Sequence, residues 1–170
     1  MVKPWFKIGI LILLALALGL VYARCSNRDA RLIHRQWDRL VGSVEKRPEE
    51  PPLQSLGRAN AIPDFFAREF HVSLRPVLPN MKSRNELLST FSYVRGAVTS
   101  LSLGTSDRTL TVNRSAGTAF MTATIRGTVV YGTTRETHAY EFDVDWIKED
   151  GTWRIQTLTL VQSIEAPPVL

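Results

Sequence analysis

Three carboxylates, Glu141, Asp143 and Asp145, stand at alternate positions in this 170-residue chain, interleaved with Tyr140, Phe142, Val144 and Trp146. Alternation of this kind puts the two sets on opposite faces of a strand. A carboxylate inside an apolar pocket can serve as a general acid or base, because burial moves its pKa toward the working range. Here the aromatic face is the one a core demands. The carboxylates are therefore expected to look outward, where water screens their mutual repulsion. His34, His71 and His138 share no metal-ligand spacing, so neither a metal nor any other cofactor is expected. His71 and His138 are the histidines a pocket mouth could use, beside Arg75 or Tyr93. The chain has no paired nucleophile and base, no glycine-rich phosphate loop and no Cys and His dyad, so no residue is assigned a catalytic role.

The elements that must position these residues are legible from periodicity. From Asn27 onward Ala30, Ile33, Trp37, Leu40, Val41 and Val44 recur at helical steps, while Arg28, Arg31, Arg35 and Arg39 fall on another face. Pro48, Pro51 and Pro52 with Glu49 and Glu50 read as a linker. Pro63 suits the first turn of a short helix carrying Phe65, Phe66 and Ala67. Phe70, Val72 and Leu74 then alternate as a half-buried strand. Ser83 and Glu86 have the spacing of a capping box, opening a helix with Leu87, Leu88, Phe91, Val94 and Ala97 on one face. Beyond Val98 the chain is rich in Thr, Val, Leu and Tyr. It predicts a bent strand over 99–113 broken near Asp107, a long strand through Ala119 to Val129, and a third carrying the carboxylates. Asp150 and Gly151 form a tight hairpin turn into the last strand. Helices followed by antiparallel strands mean an α+β domain with helices packed on a curved antiparallel sheet.

Composition sets further bounds. The net charge of +5 comes from basic residues mostly interspersed with acidic ones, so no nucleic acid is expected as a partner. The single cysteine, Cys25, forbids an intrachain disulfide. Residues 8–23 form an apolar segment behind Lys3 and Lys7, read as a secretory signal or an uncleaved anchor. As a helix, sixteen residues span roughly 24 Å against a ~30 Å hydrocarbon core, with Trp5, Phe6 and Tyr22 at its interfaces. Lys and Arg counts favour a cytoplasmic domain, but the short basic start is that of exported chains. The organisation expected is a signal or anchor segment (1–25), an amphipathic helix (27–47), a Pro- and Glu-rich linker (48–59), an α+β domain (60–164) and a tail (165–170). The chain is expected to be held to a membrane through residues 8–23, its domain on the extracytoplasmic, periplasmic side.

The ordered set of elements, with ANAIPDFFAREF at Asn60 to Phe70, the capped helix and the closing DGTWRI of Asp150 to Ile155, resembles the nuclear transport factor 2-like, or SnoaL-like, superfamily. The resemblance covers about Asn27 to Ile164. It implies a cone-shaped, cystatin-like fold whose sheet and helices surround a pocket, commonly in a homodimer. Its members include isomerases, cyclases, dehydratases and epoxide hydrolases as well as inactive proteins, among them membrane-anchored scaffold domains of bacterial type IV secretion assemblies. Phe66, Phe91, Met121, Phe142 and Trp146 are the residues expected to line such a pocket, although aromatics and methionine at regular spacing also serve as plain core. The expected function is a non-catalytic, membrane-anchored domain binding a small apolar ligand or a protein partner. The alternative is a SnoaL-like isomerase, dehydratase or hydrolase using a pocket Asp or His, for which Asp143 or His138 would have to face the cavity.

Overall fold

The computed structural model describes residues 28–164. Helix α1 occupies residues 28–44 and buries Ile33, Trp37, Leu40 and Val41 on one face. Helix α2, Pro52–Ala61, occupies most of the stretch expected to be a linker (48–59) and runs two residues beyond it. Pro52 occupies its first turn, where a missing N–H leaves no bond unmade, so a proline read as part of a helix-breaking linker instead starts a helix. A single 3-10 turn, Ile62–Phe65, leads into strand β1, Phe66–Ser73. Phe66 and Ala67 are thus strand residues and not helical as expected; both are buried. Helix α3, Arg84–Ala97, opens with the predicted capping box: Ser83 Oγ accepts from Glu86 N, and the Glu86 carboxylate accepts from Ser83 N.

Strands β2 (Ser100–Asn113), β3 (Thr118–Tyr131), β4 (Thr134–Glu149) and β5 (Thr152–Ile164) form an antiparallel meander. The bend in β2 falls between Ser106 and Thr109, where Asp107 has a φ of 50°. Asp150 and Gly151 have φ of 49° and 79°, the left-handed pair a two-residue hairpin requires. The strand order is β1-β5-β4-β3-β2. β1 pairs parallel with β5, Val72 beside Leu158, so the sheet is mixed and not antiparallel throughout as expected. The pattern within β1 reports which face is buried and carries no information about the direction of its neighbour. Register shifts in β4 and β5 at Glu141/Phe142 and Asp145/Trp146 add local twist, curving the sheet around the helices.

The end of α1 is tied down by two arginines. An α-helix leaves its last four carbonyls without intrahelical partners. Here Val41 O accepts from Glu45 N, Gly42 O from Arg58 Nη1 of α2, and Ser43 O and Val44 O from Arg95 Nη1 of α3. Arg95 also donates to Glu45 O, to Ser55 Oγ and to Glu50 Oε2, the last at 2.6 Å. The Arg95 and Glu50 side chains are 2% and 1% exposed. Burial pulls the Arg95 guanidinium below its ordinary value, and the Glu50 charge opposes that shift. Lys46 bridges to Leu101 through reciprocal backbone bonds, fastening the same loop to the edge of β2.

The other end of α1 is held by Asp29, whose carboxylate accepts from Trp153 Nε1 at 2.9 Å and pairs with Lys148 and Arg114. The Trp153 bond, aided by Lys148 and Arg114, keeps Asp29 below its ordinary 3.8.

The expected segment 1–25, with its span at 8–23, and the tail 165–170 lie outside the described residues. Among the described residues no helix is long and apolar enough to cross a membrane. The expectation of a membrane-anchored, extracytoplasmic domain is corrected on that finding. An apolar run shorter than the hydrocarbon core does not establish a span.

Two outcomes follow from the clamped ends of α1. Arg95→Met removes the more deeply buried of the two cations on Glu50 and leaves two helix carbonyls without a donor, and is expected to cost about 3–5 kcal/mol, whereas Arg58→Met, at a partly exposed pair, costs about 1 kcal/mol; urea denaturation measures both, and equal costs would contradict the assignment. Because the folded-state pKa of Asp29 is depressed, its stabilisation is complete above about pH 3.8 and is lost as pH falls through the folded value. Asp29→Ala should therefore destabilise by about 1–2 kcal/mol at pH 7, with the gap to wild type narrowing at pH 3.

Candidate functional site

The inner face of the sheet is packed solid at one end and hollow at the other. At the solid end Ala119, Met121, Val144, Trp146 and Ile155 are all buried. At the hollow end a cavity of about 280 Å³ opens against Leu101 and Leu103 of β2, Ile125, Gly127 and Val129 of β3, His138, Tyr140 and Phe142 of β4, and Leu158 and Leu160 of β5. Trp37, Leu40, Val41 and Val44 of α1 cover it, Phe91 and Val94 of α3 close one side, and Phe66, Leu74, Val77 and Leu78 complete the wall. Gly127 contributes no side chain at an inward position, and a Cβ there would meet Leu103 Cδ2 at 3.1 Å. The glycine keeps this part of the wall open.

Of the residues expected to line a pocket, Phe66, Phe91 and Phe142 do so. Met121 and Trp146 do not; they belong to the solid end. Alternation identifies the inward face of a strand, but where the helices stand off from that face depends on three-dimensional packing.

The cavity lining is almost wholly apolar, and its titratable side chains are His138 and Tyr140. His138 lies opposite Gly127 in the β3–β4 register and lines the cavity with a side chain 49% exposed. Its ring stacks on Tyr140, centroids 6.1 Å apart. Its Nε2 lies 3.3 Å from Glu136 Oε2, and the Tyr131 hydroxyl donates to Glu136 Oε1. The Tyr131 bond, and then the His138 bond, hold the Glu136 carboxyl below its usual range, and the same contact raises the Tyr131 phenol. Glu136 and Tyr131 were not singled out by sequence reasoning. The available signal was the i, i+2 spacing of Glu136 and His138 on one strand face, with Tyr131 across a two-residue turn.

Glu141, Asp143 and Asp145 lie on the opposite face of β4 and none lines the cavity. Burial first, then the charges of Glu141 and Asp145, push the Asp143 carboxyl up. His71 sits half-buried in β1 beside Thr157, away from the cavity, and Tyr93 is an exposed residue of α3. Among the described residues no group of His, Cys, Asp or Glu is disposed to hold a metal ion. A second hollow, about 320 Å³, lies between α2 and α3 over Lys46, Glu50 and Arg95. Every guanidinium nitrogen of Arg95 already donates to the protein, so that floor is committed to structure.

No family model matches the sequence, and no curated protein matches it. Solved structures do. A protein from Novosphingobium aromaticivorans, provisionally named a scytalone dehydratase, superposes with a TM-score of 0.66 at 13% identity, over 82% of this chain and 87% of its own. A provisionally named dehydratase of the nuclear transport factor 2-like family from Streptomyces avermitilis gives 0.66 at 12% identity, over 83% and 99%. A nuclear transport factor 2-like protein with a cystatin-like fold, also from N. aromaticivorans, gives 0.60 at 16% identity, over 86% of each chain. At such identities the likeness is one of fold: this chain has the α+β, cystatin-like fold of nuclear transport factor 2-like proteins, with its helices on a curved mixed sheet.

Proposed function

We propose that this domain binds a small, largely apolar molecule in the cavity between α1 and the inner face of the sheet. The observation that carries the reading is the cavity itself, about 280 Å³, walled almost wholly by aliphatic and aromatic side chains. Small-molecule sites are concave, mostly apolar and furnished with a few placed polar groups, and this volume falls just short of their usual range of about 300–1,000 Å³, which suits a small ligand. A protein partner would need an exposed patch, whereas most of the lining residues lie beneath α1 and α3.

One observation favours the alternative, an isomerase, dehydratase or hydrolase. His138 both lines the cavity and has a carboxylate partner, which is the arrangement a general acid or base needs. Asp143, the other candidate, faces away. Turnover of a bound ligand that is abolished by His138→Phe while binding persists would select this reading.

Filling the cavity separates binding from packing. Ile125→Trp places an indole into the hollow and is expected to weaken binding of a neutral naphthalene fluorophore at least about ten-fold, while costing less than about 3 kcal/mol of stability. Asp143→Asn, on the outer face, should leave the affinity unchanged. Fluorescence titration of the two variants is the check, and unaltered binding in Ile125→Trp would refute the cavity assignment.

A further inference from the structure

We infer that the mouth of the cavity recognises a hydroxyl group, so that the ligand is an apolar skeleton bearing an alcohol or phenol. This rests on the cavity being a ligand site and specifies what chemistry its polar end selects. His138, Glu136 and Tyr131 carry the inference.

An ionised carboxylate accepts hydrogen bonds and donates none. Glu136 already accepts the Tyr131 hydroxyl on Oε1, so the 3.3 Å contact between Glu136 Oε2 and His138 Nε2 is a hydrogen bond only when Nε2 carries the proton. In a neutral imidazole that leaves Nδ1 as a lone-pair acceptor. Stacking on Tyr140 restrains the ring, and strand alternation puts Glu136, His138 and Tyr140 on the cavity side of β4. A ligand whose apolar body fills the hollow thus meets, at the mouth, an acceptor on a restrained ring. A hydroxyl donor satisfies it. At Nδ1 a ketone of the same shape brings a second acceptor and makes no hydrogen bond, and a hydrocarbon leaves Nδ1 to water. Tyr131 and Glu136 do not line the cavity. They are positioning residues, acting through His138.

The test uses the full-length chain and three naphthalene probes sharing one carbon skeleton: the ethyl hydrocarbon, the corresponding secondary alcohol and the methyl ketone. Affinities are measured calorimetrically at pH 8 for wild type, His138→Phe and Glu136→Met. His138→Phe keeps an aromatic ring beside Tyr140 and is expected to weaken the alcohol about five- to ten-fold while leaving the hydrocarbon within about two-fold, the range one neutral hydrogen bond commands. Glu136→Met releases the ring to present either nitrogen, so the preference of alcohol over ketone should shrink although His138 is intact. Nitrogen NMR of the wild-type imidazole should show the proton on Nε2. If the hydrocarbon binds but the alcohol-to-ketone ratio is the same in all three proteins, or if the proton resides on Nδ1, hydroxyl recognition is overturned and the cavity reading survives. If not even the hydrocarbon binds wild type, the cavity reading falls and this inference with it.

Discussion

Everything that makes this domain hollow depends on where α1 ends. Its apolar face supplies the drive to dock, but a buried helix C-terminus carries carbonyls that must find donors. Arg95 and Arg58 provide them, from α3 and α2 respectively, and both pair with Glu50 on the intervening loop. Three helices and the edge of β2 are thereby fastened at a single point. Positive charge at a helix C-terminus also opposes the negative end of the helix dipole. Because Trp37, Leu40, Val41 and Val44 form the cover of the cavity, fixing the last turn of α1 fixes the height of that cover.

The sheet complements this constraint. Large residues fill the space beneath α1 at the end where Asp29 draws it onto Trp153, and the smaller residue Gly127 leaves room at the other. The hollow therefore lies beneath a helix anchored at both ends, which holds its cover in place. The same β4 strand presents apolar residues and the His138 rim inward and three carboxylates outward, so the chemistry available to a bound molecule is set at the mouth and not along the walls.

Much of this was legible in the sequence because it is local. The Ser83–Glu86 cap, the Asp150–Gly151 turn, the break near Asp107 and the outward carboxylates follow from spacing and backbone chemistry within a few residues. What was not legible is long-range or contextual. Helix α2 was hidden because proline both ends and begins helices. The parallel placement of β1 against β5 leaves no trace within either strand. Met121 and Trp146 share a face with Phe142 yet lie where the space beneath the helices is filled, a distinction of depth that periodicity lacks. The Arg95 clasp was invisible because its partners lie 40 to 52 residues away.

The central claim is that the hollow beneath α1 is a ligand site and not slack in the core. Native mass spectrometry of the gently purified full-length chain tests it most directly. The account predicts a protomer carrying a reproducible added mass that a neutral naphthalene competes off. A protomer of bare sequence mass that also takes up none of the added naphthalene would contradict it.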